Sequence, residues 1–315
     1  MKIVFLDAKT LGDDADLSPI LSLGECTLYP STEPALTAER IKDADVVIVN
    51  KAKLFADTVG EAPKLRLVCI AATGYDNVDT EFMKSRGVAV CNVAGYSTDS
   101  VAQVTLAMAL SLATHIKEYR QWVDDGSYTR AGDANRLVPV YHEMCGMTWG
   151  IVGLGNIGRK VAAVAAALGC RVIANKRTPV PDFECVDIDE LCKRADIISV
   201  HTPLTEGTRG LISAERIAMM KKNAIVINVA RGAVCDEAAL CAAVAHGRIG
   251  AIGVDVYSKE PFDADSPYTA VAGLPNVLLT PHMAWGSLEA RNRCIAEIAE
   301  NIKSYAGGGS RSRIV

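Results

Sequence analysis

The chain has 315 residues, half of them hydrophobic, 22% charged and 5% aromatic, with a formal net charge of −4. That composition excludes disordered, collagen-like and low-complexity classes, and the length suits two domains rather than one. Cationic residues cluster no further than pairs such as Lys176-Arg177 and Lys221-Lys222, so the basic stripe of a nucleic-acid binder is missing and no such partner is expected.

Short apolar runs alternate with helical patterns from the first residues. Lys2-Leu6, Val46-Asn50, Leu67-Ile70 and Val88-Asn92 read as strands, and Thr37-Lys42 and Thr80-Ser85 carry helix-start chemistry between them. The opening run ends at Asp7, which suits a first strand better than a signal peptide. A long apolar helix is predicted over Ser100-Val123. Its stretch Ser100-Ile116 lacks formal charge but carries Ser, Gln, Thr and His, as a buried helix does and a membrane span does not. The polar stretch Asp124-Asp133 then breaks the pattern. A second series starts at Met147, with strands predicted at Met147-Val152, Arg171-Ala174, Ile197-His201, Ala224-Asn228, Gly250-Val254 and Val277-Leu279. Helices are predicted between them, among them Arg159-Leu168 and Glu237-His246, and a last one covers Leu288-Tyr305. The Gly307-Gly308-Gly309 tail is predicted to be flexible. Strands that alternate with helices imply right-handed parallel crossovers, hence an α/β fold of doubly wound parallel sheets.

Ten cysteines are present without a single Cys-x-x-Cys, many in apolar runs such as Leu67-Val68-Cys69-Ile70. They read as small core hydrophobes rather than a zinc site or disulfide framework, so no metal is expected and a cytoplasmic location is.

The run Trp149-Gly-Ile-Val-Gly153-Leu-Gly155-Asn-Ile-Gly158 joins a predicted strand to a predicted helix. Its glycines match G-x-G-x-x-G: Gly153 for a tight turn, Gly155 for approach of a pyrophosphate, Gly158 for close helix–strand packing. The helix N-terminus behind them offers N–H groups and positive potential to phosphates. A site for NAD(H) places Asp or Glu at the end of the next strand, where it accepts from the ribose 2′-hydroxyl. This chain has Asn175-Lys176-Arg177 there, so two cations face the position of a 2′-phosphate and NADP(H) is favoured over NAD(H).

Three ionisable residues follow strand ends in the second series: Arg231 after Ala224-Asn228, Glu260 after Gly250-Val254, and His282 after Val277-Leu279. In an open α/β sheet the ligand crevice lies outside the carboxyl ends of the strands, so the three converge on the edge that carries the glycine turn.

These residues resemble the D-isomer-specific 2-hydroxyacid dehydrogenase family over nearly the whole chain. The resemblance is carried by Ala71-Ala-Thr73-Gly74-Tyr-Asp-Asn77-Val-Asp79, Gly153-Leu-Gly-Asn-Ile-Gly158, His201-Thr-Pro-Leu-Thr205, Val229-Ala-Arg231-Gly232, Gly253-Val-Asp255-Val-Tyr and Thr280-Pro-His282. It implies two flavodoxin- or Rossmann-like doubly wound domains with an active-site cleft between them. The substrate domain would comprise 1–98 plus 287–315. The dinucleotide domain would comprise 99–286, with a homodimerisation segment at 99–145. Arg231, Glu260 and His282 would be the catalytic trio. Thr73, Gly74, Tyr96 and Trp285 would join Arg231 and His282 around a small 2-keto or 2-hydroxy acid. The cofactor would meet Asn156, Ile157, His201, Thr202, Pro203, Val229, Ala230, Arg231 and His282 besides the glycines and Asn175-Lys176-Arg177, with Asp255 at the nicotinamide carboxamide. Within the family, Met1-Lys-Ile-Val-Phe-Leu-Asp7, Gly95-Tyr96-Ser97-Thr98 and His282-Met-Ala-Trp285 are most similar to the branch that interconverts hydroxypyruvate and D-glycerate. Reduction of glyoxylate to glycolate is the side reaction this implies. The alternatives are another small 2-ketoacid reductase, or a dinucleotide-sensing corepressor on the same scaffold.

Overall fold

A computed structural model describes all 315 residues, and the chain divides into two compact units, Met1–Ser97 with Trp285–Val315, and Thr98–Ala284.

The first unit holds β1 (Lys2–Phe5), β2 (Glu25–Leu28), β3 (Val46–Val49), β4 (Leu67–Ile70) and β5 (Ala89–Cys91) in one parallel sheet of order β2-β1-β3-β4-β5. β3 and β4 are buried at every position, which is why their sequences are unbroken apolar runs. Alternate residues serve opposite faces. Ile3, Phe5, Ile48 and Cys69 pack with Cys294, Ile295 and Ile298 of the helix Leu288–Ala306, while Val4, Val47, Val68 and Ile70 pack with Ile41 and Met83. β2 is an exposed edge strand without an apolar pattern that would predict it.

The tail corrects the expectation of flexibility. Ile314 N donates to Val90 O (2.7 Å), Asn92 N donates to Ser312 O (3.3 Å), and Arg313 bridges Cys91 in antiparallel sense. The unpaired edge of β5 offers backbone groups that the tail satisfies, and Ile314 and Val315 pack on the core beneath.

The second unit holds β6 (Thr148–Val152), β7 (Arg171–Asn175), β8 (Glu184–Cys185), β9 (Ile197–Val200), β10 (Ile225–Asn228), β11 (Ala251–Val254) and β12 (Val277–Leu279) in a parallel sheet of order β12-β11-β10-β9-β6-β7-β8. The order reverses between β6 and β9, which marks the switch point where such sheets bind ligands. The helices Thr98–Ala113 and Asn156–Ala167 pack together on one face, and Ile188–Arg194, Ala214–Met219 and Glu237–Ala245 cover the other.

The single helix predicted over Ser100-Val123 is two. His115 sits at φ +54, in the left-handed region, and separates Thr98–Ala113 from Ile116–Asp124. The first of these is buried along much of its length and the second has no buried residue, so burial does not carry the pattern across the break. A short helix, Ser127–Ala131, lies within the stretch read as a break.

Candidate active site

At the switch point, β6 runs through Gly153 to Gly155 into the helix Asn156–Ala167, whose N-terminus has no side-chain cap. Gly153 has φ +96, and a Cβ there would lie 2.7 Å from Thr202 N; one on Gly158 would lie 2.2 Å from Gly153 O. These glycines are fixed by close backbone approach. A Cβ on Gly155 would meet nothing within 4 Å, so the space beyond the helix N-terminus is open. First-turn N–H groups, including those of Asn156 and Ile157, have no intrahelical partner and give this end the positive potential of a phosphate site.

The end of β7 lies beside the turn, for Gly153 N donates to Asn175 O at 3.0 Å. Asn175 Nδ2 donates to Val186 O (3.1 Å), and no carboxylate stands at this position. Half-buried Lys176 and exposed Arg177 form no ion pair within the chain.

His201, just past β9, extends a buried relay. Trp149 Nε1–H donates to Ser199 Oγ at 2.9 Å, and Ser199 Oγ lies 2.9 Å from His201 Nε2. Ser199 is fully buried and its hydroxyl has no other acceptor, so it donates to Nε2 and leaves the proton of the ring on Nδ1. Burial pushes the imidazole down to a pKa of about 3, so the ring stays neutral. Its Nδ1 is buried with no partner, an orphaned donor at the sheet's switch point that a bound acceptor group would satisfy. Thr202 lies against Gly153, and Pro203 O accepts from Thr208 Oγ1 (2.7 Å).

Arg231 follows β10 on a turn shaped by fully buried Asn228, whose Oδ1 accepts from Ala230 N (3.1 Å) and whose Nδ2 donates to Arg231 O (2.9 Å). Val229 and Ala230 form the turn itself. A Cβ on Gly232 would lie 2.2 Å from both Tyr257 C and Ser258 N, so the Arg231 turn rests directly on the backbone leading to Glu260.

Glu260 Oε1 accepts from Tyr257 N at 3.0 Å, and Oε2 lies 2.6 Å from His282 Nδ1. Their side chains are 31% and 21% exposed, so the pair is partly desolvated yet reachable. His282 has φ +53, a left-handed conformation that costs a non-glycine residue roughly 1–2 kcal/mol and marks a site whose surroundings over-determine it. Asp255, 1% exposed, supplies much of that restraint. Its Oδ1 accepts from Thr280 Oγ1 (2.5 Å) and Met283 N (2.9 Å), and its Oδ2 accepts from Ala284 N (2.9 Å). Three bonds leave a carboxylate, with about four acceptor positions, one for a ligand amide.

In the first unit the loop after β4 is tied to the end of β5: Thr73 Oγ1 donates to Val93 O (2.9 Å) and Asn92 Nδ2 donates to Thr73 O (2.7 Å). The Thr73 and Gly74 N–H groups make no hydrogen bond within the chain. Buried Tyr96 meets Trp285 edge to face, with ring centroids 6.4 Å apart. The expected trio thus lies in one unit and Thr73, Gly74, Tyr96 and Trp285 in the other. Sequence reading missed Ser199, Asn228 and the part of Tyr257. Polar residues within or closing apolar strands (Ser199 in β9, Asn228 ending β10) are the signal that marks them.

A Rossmann sheet with a glycine turn at its switch point, and a carboxylate–imidazole pair on the same edge, defines a dinucleotide-dependent oxidoreductase. Residues 106–284 match the family described as D-isomer specific 2-hydroxyacid dehydrogenase, NAD binding domain, and the chain belongs to that family, whose members are oxidoreductases acting on CH–OH groups. It is 35% identical over 308 residues to a glycerate dehydrogenase of Methylorubrum extorquens, covering 98% of this chain and 96% of that one. To a hydroxypyruvate reductase of Blautia hydrogenotrophica it is 35% identical over 317 residues, covering 98% of each. Among solved structures, an acyclic imino acid reductase (Bsp5) in complex with NADPH and D-Arg superposes with a TM-score of 0.86 at 28% identity over all of both chains. No helix is long and apolar enough to cross a membrane.

Proposed function

We propose that the protein reduces hydroxypyruvate to D-glycerate, and glyoxylate to glycolate, with NADP(H) preferred over NAD(H). The observation that carries this reading is the 2.6 Å pairing of His282 Nδ1 with Glu260 on the sheet edge that also bears Arg231.

A dinucleotide bound at the glycine turn would supply the hydride. Gly153, Gly155, Gly158 and the first turn at Asn156-Ile157 would hold its pyrophosphate, with His201, Thr202, Pro203, Val229 and Ala230 as its further contacts. Asp255 would offer its remaining acceptor position to the carboxamide. Asn175 in place of an acid, with Lys176 and Arg177 beside it, supports the 2′-phosphate. Arg231 pairs with the substrate carboxylate in a bidentate, charge-assisted contact of roughly 1.5–3 kcal/mol. Thr73 and Gly74, whose N–H groups make no hydrogen bond within the chain, and Tyr96 and Trp285 are offered as further substrate contacts on the family resemblance. Glu260 holds Nδ1, so Nε2 is the nitrogen that would give a proton to the substrate's carbonyl oxygen on reduction. In the reverse direction the neutral ring takes that proton back. A positioned acid of this kind supplies roughly 10²–10⁴-fold.

We place the protein in the cytoplasm as a homodimer. Ile116, Val123, Leu137, Val138, Val140 and Tyr141, each 52–74% exposed within 99–145, are the apolar side chains that a second copy would cover. Sedimentation as a monomer at micromolar concentration would remove that part.

Hydroxypyruvate, glyoxylate and pyruvate, each assayed with NADPH and NADH by loss of dinucleotide absorbance, test the reaction. Hydroxypyruvate with NADPH gives the highest kcat/KM on this reading. Tight dinucleotide binding with no turnover of any keto acid would overturn it in favour of a sensor.

A further inference from the structure

We infer that Tyr257 is a positioning residue that locks Glu260 and His282 to one another, its backbone holding the carboxylate and its phenol holding the turn that carries the imidazole. The inference rests on His282 being the proton donor. Tyr257 N donates to Glu260 Oε1 (3.0 Å), and Tyr257 Oη donates to Thr280 O (2.9 Å), two residues before His282. Thr280 O also accepts from His282 N at 3.0 Å, so the phenol and the left-handed residue share one carbonyl.

The ring alone does not explain the hydroxyl. Tyr257 stacks edge to face on Phe262 and Tyr268, with centroids 4.7 and 5.2 Å away, contacts that a phenylalanine would make equally well. Burial raises the phenol to about 12, so it remains a donor wherever the enzyme works. The loops after β11 and β12 are thereby joined through one side chain, and a shift of the Glu260 loop carries the His282 turn with it. Asp255 ties the same turn from below, so loss of the phenol loosens the pair without releasing it.

Tyr257→Phe in the full chain is the test. Packing and dinucleotide Kd are expected to be unchanged, and kcat with hydroxypyruvate to fall about 2- to 10-fold, the span of one neutral hydrogen bond. In a Glu260→Gln background the same substitution is expected to change kcat less than about 2-fold, because the two act through one pair. Proton NMR of the apoprotein is expected to show the low-field Nδ1–H signal of His282 broadened or lost in Tyr257→Phe. Wild-type kcat in Tyr257→Phe, or a loss that persists in full beside Glu260→Gln, overturns the inference. Absence of keto-acid turnover in the wild-type protein would sink the proposed reaction instead. The low-field signal would then still decide the role of Tyr257, unchanged against it and lost in its favour.

Discussion

Gly232→Ala asks whether the site depends on the contact between the Arg231 turn and the Glu260 loop. An added Cβ would lie 2.2 Å from Ser258 N and from Tyr257 C and 2.6 Å from Tyr257 Cα, where ordinary contact begins near 3.4 Å. All three atoms are backbone, so the two loops must part by about 1 Å. Overpacking of this kind costs roughly 1–3 kcal/mol of stability, which leaves the fold standing. A misplacement of about 1 Å within a catalytic constellation costs on the order of 10²-fold, or about 2.7 kcal/mol of transition-state stabilisation. The expected result is therefore a loss of about 100-fold in kcat/KM for hydroxypyruvate, with dinucleotide Kd nearly unchanged. Steady-state kinetics beside a thermal melt and a fluorescence titration measure all three. Gly232→Ala enzyme within about 2-fold of wild-type kcat/KM would refute the claim that this contact sets the geometry of the site.

His282→Ala is expected to cut kcat by roughly 10²–10⁴-fold and to weaken dinucleotide binding far less, as single-turnover kinetics and a binding titration would show. Arg231→Lys is expected to act chiefly on the keto-acid KM, because an ammonium cannot reproduce the bidentate fork; a change confined to kcat would count against the assigned contact. Asn175→Asp introduces the acid that accepts from a ribose 2′-hydroxyl and repels a 2′-phosphate, so the ratio of kcat/KM with NADPH to that with NADH is expected to fall. His201 titrates near 3 when folded and near 6.5 when unfolded, so the unfolded chain binds the extra proton between those values. Stability from this residue is complete above pH 6.5 and falls as pH drops, by roughly 2 kcal/mol at pH 5. Urea midpoints at pH 7 and 5 are expected to show this slope reduced in His201→Asn.

The inner strands are legible in the sequence because burial on both faces demands apolar runs, unbroken in β3 and β4 and interrupted in β9 only by Ser199. Edge strands β2 and β8 carry no such demand, so nothing in Glu25–Leu28 or Glu184–Cys185 announces them. The glycine turn is legible for a different reason: G-x-G-x-x-G is a local solution to a local steric problem, and the packing at Gly153 and Gly158 is the one the spacing implies. Likewise Arg231, Glu260 and His282 announce a shared edge, since parallel topology puts every strand's carboxyl end on one side. Sequence cannot supply how that edge is assembled. The Glu260–His282 bond spans 22 positions, Asp255 reaches 25 to 29 residues ahead, and the tail returns more than two hundred residues to β5. Such pairings are decided where loops from separate strands meet, by which buried donor finds which acceptor. That selection exists only once the chain has folded, so the left-handed turn at His282 and the hold of Tyr257 upon it belong to the tertiary structure.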